Sequence, residues 1–199
     1  MASPAPRRQH VLPIVVLCVS LALLAGAVAL TFLGRDPGAP PPSAIGGPFA
    51  LLDQDGRAVN QDTYKGQATL MFFGYTHCPD VCPTTLFEIS EILKKVGPDA
   101  KVRGLFVTVD PERDTPELLK SYLSSFDKRI GGLTGDREAI NAMLKAYRVY
   151  SKKIPGESAD NYAMDHSAIV YLMDRQLRFV NALPLQDPDR AAKEIARWM

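Results

Sequence analysis

Cysteine is scarce in this chain, with three among 199 residues. That is too few for a domain stapled by disulfides, so each cysteine stands for chemistry or for packing. An excess of charge of either sign is also missing: 23 Lys and Arg face 22 Asp and Glu, a formal net charge of +1. This balance excludes a polybasic nucleic-acid binder and a solvated acidic tail as accounts of the whole chain, and no nucleic-acid partner is expected. There is no internal repeat. What remains, 46% apolar and 23% charged residues, is the composition of a folded domain rather than a disordered chain.

Charge disappears altogether between Val11 and Leu33, where Ser20 and Thr31 carry the only side-chain hydroxyls. As a helix this run would measure about 34 Å, enough to cross a bilayer core. Arg7 and Arg8 precede it, whereas Arg35 and Asp36 after it cancel. The positive-inside bias therefore predicts residues 1–10 in the cytoplasm, a single-pass anchor over 11–33, and the rest of the chain outside. A cleaved signal peptide is the alternative, given small residues at Ala25, Ala27 and Ala29, but the apolar run is longer than an ordinary signal core. The pattern fits a bacterial inner-membrane protein whose soluble part faces the periplasm. Cys18, inside the run, reads as a small apolar residue. Residues 34–48, rich in Pro and Gly, predict an extended tether. The soluble domain is expected over 49–199.

Within that domain, Phe49–Leu52 and Arg57–Asn60 flank a Gln54-Asp55-Gly56 turn and predict a hairpin. Ala68–Phe73 and Val102–Val109 read as buried strands. Leu86, Ile89, Leu93 and Val96 recur at helical spacing, marking a helix that starts near Pro83. Pro116–Phe126 and Arg137–Tyr147 read as helices, the first with Thr115 as N-cap and Pro116 at N1. Leu133, among glycines, marks a short strand. Ala168–Met173 and Leu177–Asn181 predict a closing hairpin around Asp174-Arg175-Gln176, and Asp187–Met199 a last helix. This order predicts an α/β domain, a thioredoxin-like mixed sheet flanked by helices and preceded by one N-terminal transmembrane helix.

The chemistry sits after the first buried strand, in Gly74-Tyr75-Thr76-His77-Cys78-Pro79-Asp80-Val81-Cys82-Pro83. Cysteines four apart at the start of a helix share one face. The helix N-terminus there favours thiolate, hence a soft metal ligand or a nucleophile. Parallel strands joined by a helix place the loop Asp110-Pro111-Glu112-Arg113-Asp114 on the same edge as the cysteines. An antiparallel Ala168–Met173 would begin on that edge too, just after Asp165 and His166. Asp165 reads either as an acceptor for the His166 imidazole or as a turn residue. Tyr147, Tyr150 and Tyr162 read as packing.

Three segments carry a resemblance: Cys78-Pro-Asp-Val-Cys-Pro, Val109-Asp-Pro-Glu-Arg-Asp-Thr-Pro116 and Asp165-His-Ser167. Together, and behind a membrane anchor, they resemble the SCO/SenC copper proteins from Phe49 onward. The resemblance implies a membrane-anchored metallochaperone, not an enzyme, with copper held by Cys78, Cys82 and His166. It implies service to the binuclear copper centre of cytochrome c oxidase, with subunit II of the oxidase as partner. A further periplasmic copper chaperone or a thiol reductase would supply metal or electrons. Two thiolates and an imidazole suit Cu(I) and can also hold Cu(II), whereas structural zinc wants four protein ligands. The final hairpin departs from the family in having Arg175-Gln176-Leu177 where a turn glycine is common, and residues 155–160 match no motif.

The rival function is a thiol–disulfide oxidoreductase that reduces the copper-site cysteines of the oxidase subunit or signals redox state, cycling through a Cys78–Cys82 disulfide. Against it, thioredoxins place a cis-proline where this chain has Asp165-His166-Ser167. A peroxiredoxin-like site is set aside, because Pro79 and Tyr75 stand where that family needs threonine and proline.

Overall fold

A computed structural model describes residues 11–33, 43–156 and 161–199. Residues 1–10 and most of the expected tether, 34–42, lie outside the described residues, as does the greater part of the unmatched loop, 157–160. Helix α1 (Val11–Leu33) covers the uncharged run from end to end. Its Pro13–Leu30 stretch has a mean hydropathy of 2.6 and is long and apolar enough to cross a membrane.

The second unit is built on a seven-stranded mixed sheet in the order β2-β1-β5-β4-β3-β8-β9. Strands β1 (Ala50–Asp53) and β2 (Ala58–Asn60) form the expected hairpin, with Gly56 at φ 76° closing its turn. At the centre are β3 (Ala68–Gly74) and β4 (Val102–Thr108), parallel over their whole length. They are linked by α2 (Val81–Val96). Every residue of β3 is buried, as its unbroken apolar run requires of a strand covered on both faces. The glycine-rich segment around Leu133 is strand β5 (Ile130–Thr134), parallel to β4 and antiparallel to β1.

Helices cover both faces. Phe72 meets Phe106, which meets Tyr122, so α2 and α3 (Pro116–Leu123) lie over that side. Phe73, on the opposite side by strand alternation, packs on Tyr147 at the end of α4 (Arg137–Ala146). Thr115 and Asp136 cap α3 and α4 by accepting from the amides of Leu118 and Ala139. The chain enters along α4: Gly46 N–H donates to the Ala146 carbonyl and Tyr147 Oη to the Gly47 carbonyl.

After α4 comes a ribbon that the sequence did not announce. β6 (Ser151–Pro155) pairs antiparallel with β7 (Tyr162–His166), and neither joins the main sheet. β8 (Val170–Met173) then enters antiparallel to β3, as expected, and β9 (Phe179–Ala182) closes the edge with a bulge at Leu172/Met173. In the closing turn Leu177 sits at φ 60°, a left-handed conformation that glycine would adopt more cheaply. Its burial holds it there. Helix α5 (Pro188–Ala196), capped by Asp187, lies along α2 and ends short of the expected Met199.

Candidate metal centre

The C-terminal ends of β3 and β4 and the start of β8 share one edge of the sheet, and the cysteine loop leaves from there. α2 begins at Val81, two residues before the expected start, so Cys82 belongs to its first turn and Cys78 to the loop ahead of it. Pro83 is tolerated because first-turn amides have no partner within a helix. The Cys82 amide is one of these, and it donates to Cys78 Sγ at 3.4 Å. Cys82 Sγ in turn lies 3.6 Å from His166 Nε2. The donor atoms of Cys78, Cys82 and His166 all fall within 4.8 Å of one another. Both cysteines are free thiols. Cys82 is wholly buried, and Cys78 is 9% exposed.

Gly74 makes room for this arrangement. A Cβ there would stand 2.8 Å from Cys82 Sγ and 2.7 Å from Phe106 Cε2, closer than real side chains pack. The imidazole is placed by aromatic neighbours: Tyr75 meets it edge-on at 5.7 Å between ring centres, and Phe72 lies at 6.5 Å. Its Nδ1 faces the Ser167 carbonyl at 3.2 Å. Nδ1 therefore carries the proton and donates it, which leaves the Nε2 lone pair directed at the thiols. Of the two readings of Asp165, the acceptor role falls away, because Ser167 fills it. Asp165 is exposed, opposite Lys152 in the ribbon.

Burial pushes the Cys82 thiol well above its ordinary value, against a backbone hydrogen bond from Tyr75. Burial pushes the His166 imidazole down, against the bond to Ser167 and the charge of Asp165. Without a metal, both groups are thus neutral at physiological pH, since burial disfavours thiolate and imidazolium alike. A soft cation bound here would replace the thiol protons and meet an imidazole that needs no deprotonation. The donor set and the tautomer fit such an ion.

The Asp110–Asp114 loop does more than turn the chain. Asp114, wholly buried, accepts from Thr76 Oγ1 and Thr108 Oγ1, each at 2.6 Å, and from the Thr76 amide. It so holds the cysteine loop two residues before Cys78. Asp110, equally buried, accepts from Arg113 Nε and from Tyr162 Oη at 2.8 Å. His77 is a half-exposed loop residue beside Thr76, and Asp80 stands ahead of α2 without capping it. Of the tyrosines read as packing, Tyr147 is buried in the core, but Tyr150 is 52% exposed. Tyr162 is a polar link to Asp110, and nothing local in the sequence marked it as Asp110's partner, 52 residues away.

Residues 37–199 match the model of the SCO1/SenC family. The chain is 36% identical over 198 residues to an SCO2-like protein of Rickettsia felis, covering 93% of this chain and 94% of that one. A solved structure of Bradyrhizobium japonicum ScoI with copper bound superposes with a TM-score of 0.75. It is 55% identical and covers 78% of this chain and 99% of the other. Arabidopsis thaliana ScoI with copper bound gives a TM-score of 0.72 at 36% identity, over 77% of this chain and 97% of the other. The mixed sheet and its flanking helices have the thioredoxin-like fold of these proteins. On its motifs, its fold and these likenesses, the chain belongs to the SCO1/SenC family.

Proposed function

We propose that this protein is a copper carrier, not an enzyme, which binds one copper ion through Cys78, Cys82 and His166. Anchored by α1 with its folded domain in the periplasm, it serves the assembly of the binuclear copper centre of cytochrome c oxidase, with subunit II as the recipient. The convergence of two thiols and an imidazole within 4.8 Å is the observation that supports this most. Two thiolates hold Cu(I), and the imidazole nitrogen adds the borderline donor that Cu(II) favours. No fourth His, Cys, Asp or Glu joins the cluster among the described residues. A three-donor site leaves a face at which an acceptor's ligand can attack, which suits an ion that has to leave again.

The two thiols also support a redox step. Joined as a Cys78–Cys82 disulfide, they would lose both sulfur donors, and a thiol reductase in the same compartment would restore them. The oxidoreductase reading is weaker because an imidazole, His166, stands against the thiols where thioredoxins place a cis-proline.

The test uses the full chain in detergent, reduced and without oxygen. One Cu(I) per chain is expected for the wild type, with loss of stable binding in Cys78→Ser, in Cys82→Ser and after oxidation to the disulfide verified by thiol trapping. Retention of Cu(I) by the fully oxidised chain would contradict the reading.

A further inference from the structure

The strand that presents His166 stands outside the main sheet, so something other than sheet hydrogen bonds has to set its position. The outward residues of the β6–β7 ribbon, Lys152, Ile154, Ala163 and Asp165, are exposed. Tyr162, Met164 and His166 share the other face, as alternation along a strand requires. At its junctions with α4 and β8 the ribbon is held by a pair of bonds, Ser167 N–H to the Tyr150 carbonyl and Tyr150 N–H to Ser167 Oγ.

Further along, the link is Arg113, in the loop after β4. The guanidinium carbon lies 3.6 Å from the centre of the Tyr162 ring and 5.7 Å from that of Tyr75. Nη1 donates to the Tyr162 carbonyl at 3.1 Å, and Nε donates to Asp110. Tyr162 Oη reaches the other oxygen of the same buried carboxylate. Lys153 adds an outer pair with Glu112 at 2.9 Å. One side chain therefore touches both halves of the site: Tyr162 on the strand that ends in His166, and Tyr75, which walls the imidazole at the root of the cysteine loop.

We propose that Arg113, acting with Tyr162, is the positioning residue that holds the His166 imidazole against the two thiols, and so decides whether an ion there has three donors or two. The inference rests on the copper reading of the site. Arg113 touches no donor atom; it acts through the ribbon and through Tyr75. The work calls for arginine because a planar cation can stack on a ring while its fork bonds a carbonyl and a carboxylate, which an ammonium cannot do together. The consequence differs between the two valences. Cu(I) is satisfied by two thiolates, whereas Cu(II) depends more on the nitrogen. Loss of the clamp should therefore weaken Cu(II) selectively.

The test compares wild type, Arg113→Met, Arg113→Lys and Tyr162→Phe as full chains in detergent. Amide hydrogen exchange is read first, on the reduced metal-free proteins. In Arg113→Met, exchange over 151–155 and 162–166 should quicken about tenfold, with β3 and β4 unchanged. Copper is then added. Cu(II) affinity should fall about tenfold, the size expected of an outer positioning contact, with loss of the nitrogen signature in electron paramagnetic resonance. Cu(I) affinity should fall much less. Arg113→Lys should not rescue, and Tyr162→Phe should move both readouts in the same direction by less. Unchanged ribbon exchange in Arg113→Met, or equal losses for both valences, would overturn the proposal. If the wild type takes up no copper, the copper reading fails; exchange then decides the clamp alone, faster exchange upholding it and unchanged exchange overturning it.

Discussion

In β3, Ala68, Leu70, Met71, Phe72 and Phe73 are wholly buried, and the strand is hydrogen-bonded to neighbours on both sides. In β6, four of five residues are exposed, its one strand partner is β7, and the ribbon the two form is tied to the loop after β4 through Arg113–Tyr162 and Lys153–Glu112. The sheet presents the thiols and the ribbon presents the imidazole. Non-directional apolar burial gives the sheet a stable platform. The ribbon buries only Tyr162 and Met164 and adds directional polar contacts, which hold it at a smaller cost of release. On the proposed reading two donors would thus be fixed and the third adjustable, a useful division for a copper carrier.

The comparison breaks first if the sheet is not the rigid partner. Phe106 is wholly buried, with Phe72 and Tyr122 each 5.9 Å away between ring centres. Phe106→Ala should lower unfolding stability by about 3–5 kcal/mol, read by denaturant unfolding of the reduced metal-free chain. A loss below about 0.5 kcal/mol, the size of an ordinary surface change, would deny the sheet its role. Gly74→Ala should be next, about 1–3 kcal/mol, because its Cβ meets both the Phe106 ring and Cys82 Sγ. Unlike Phe106→Ala, it should also weaken Cu(I) binding once the loss of folded protein is corrected for; unaltered Cu(I) affinity would show that Cys82 has room to move.

The smallest effect lies away from the donors, where Asp127 is held by a two-pronged contact with Arg129, whose Nη1 also donates to the Gly97 carbonyl. The hydrogen bond from Arg129 holds the Asp127 carboxyl below its ordinary value. A group with a depressed folded pKa stabilises above its unfolded value, about 3.9 for aspartate, and loses that contribution as pH falls through the folded one. Asp127→Asn should therefore cost about 1 kcal/mol at neutral pH. That difference should begin to shrink below about pH 4 and close as pH falls through the lower folded value, with copper affinity unmoved throughout. A difference that persists undiminished into acid would show that the pair's charge is not what stabilises.

The same contrast explains what could be read from the sequence. β3 and β4 were legible because a doubly covered strand has to be apolar throughout, and the cap at Thr115 because its hydroxyl serves an amide three residues on. The convergence of Cys78, Cys82 and His166 was legible because the cysteine loop and Asp165-His166 flank strands whose order the alternation of elements predicts. The ribbon was not, since Ser151-Lys152-Lys153-Ile154-Pro155 carries no apolar face of its own and is held by a loop some 40–50 residues earlier. Tyr162 looked like packing for the same reason. The choice between the two readings of Asp165 needed the structure, because strand alternation turns it outward while His166 turns in, and Leu177 shows tertiary burial overriding a turn preference.

The most direct test of the central claim is X-ray absorption at the copper edge on the reduced full chain loaded with one equivalent of Cu(I), beside His166→Ala. The account predicts two sulfurs and one nitrogen in the wild type, with the nitrogen lost and both sulfurs kept in the variant. An identical first shell in the two proteins would contradict it.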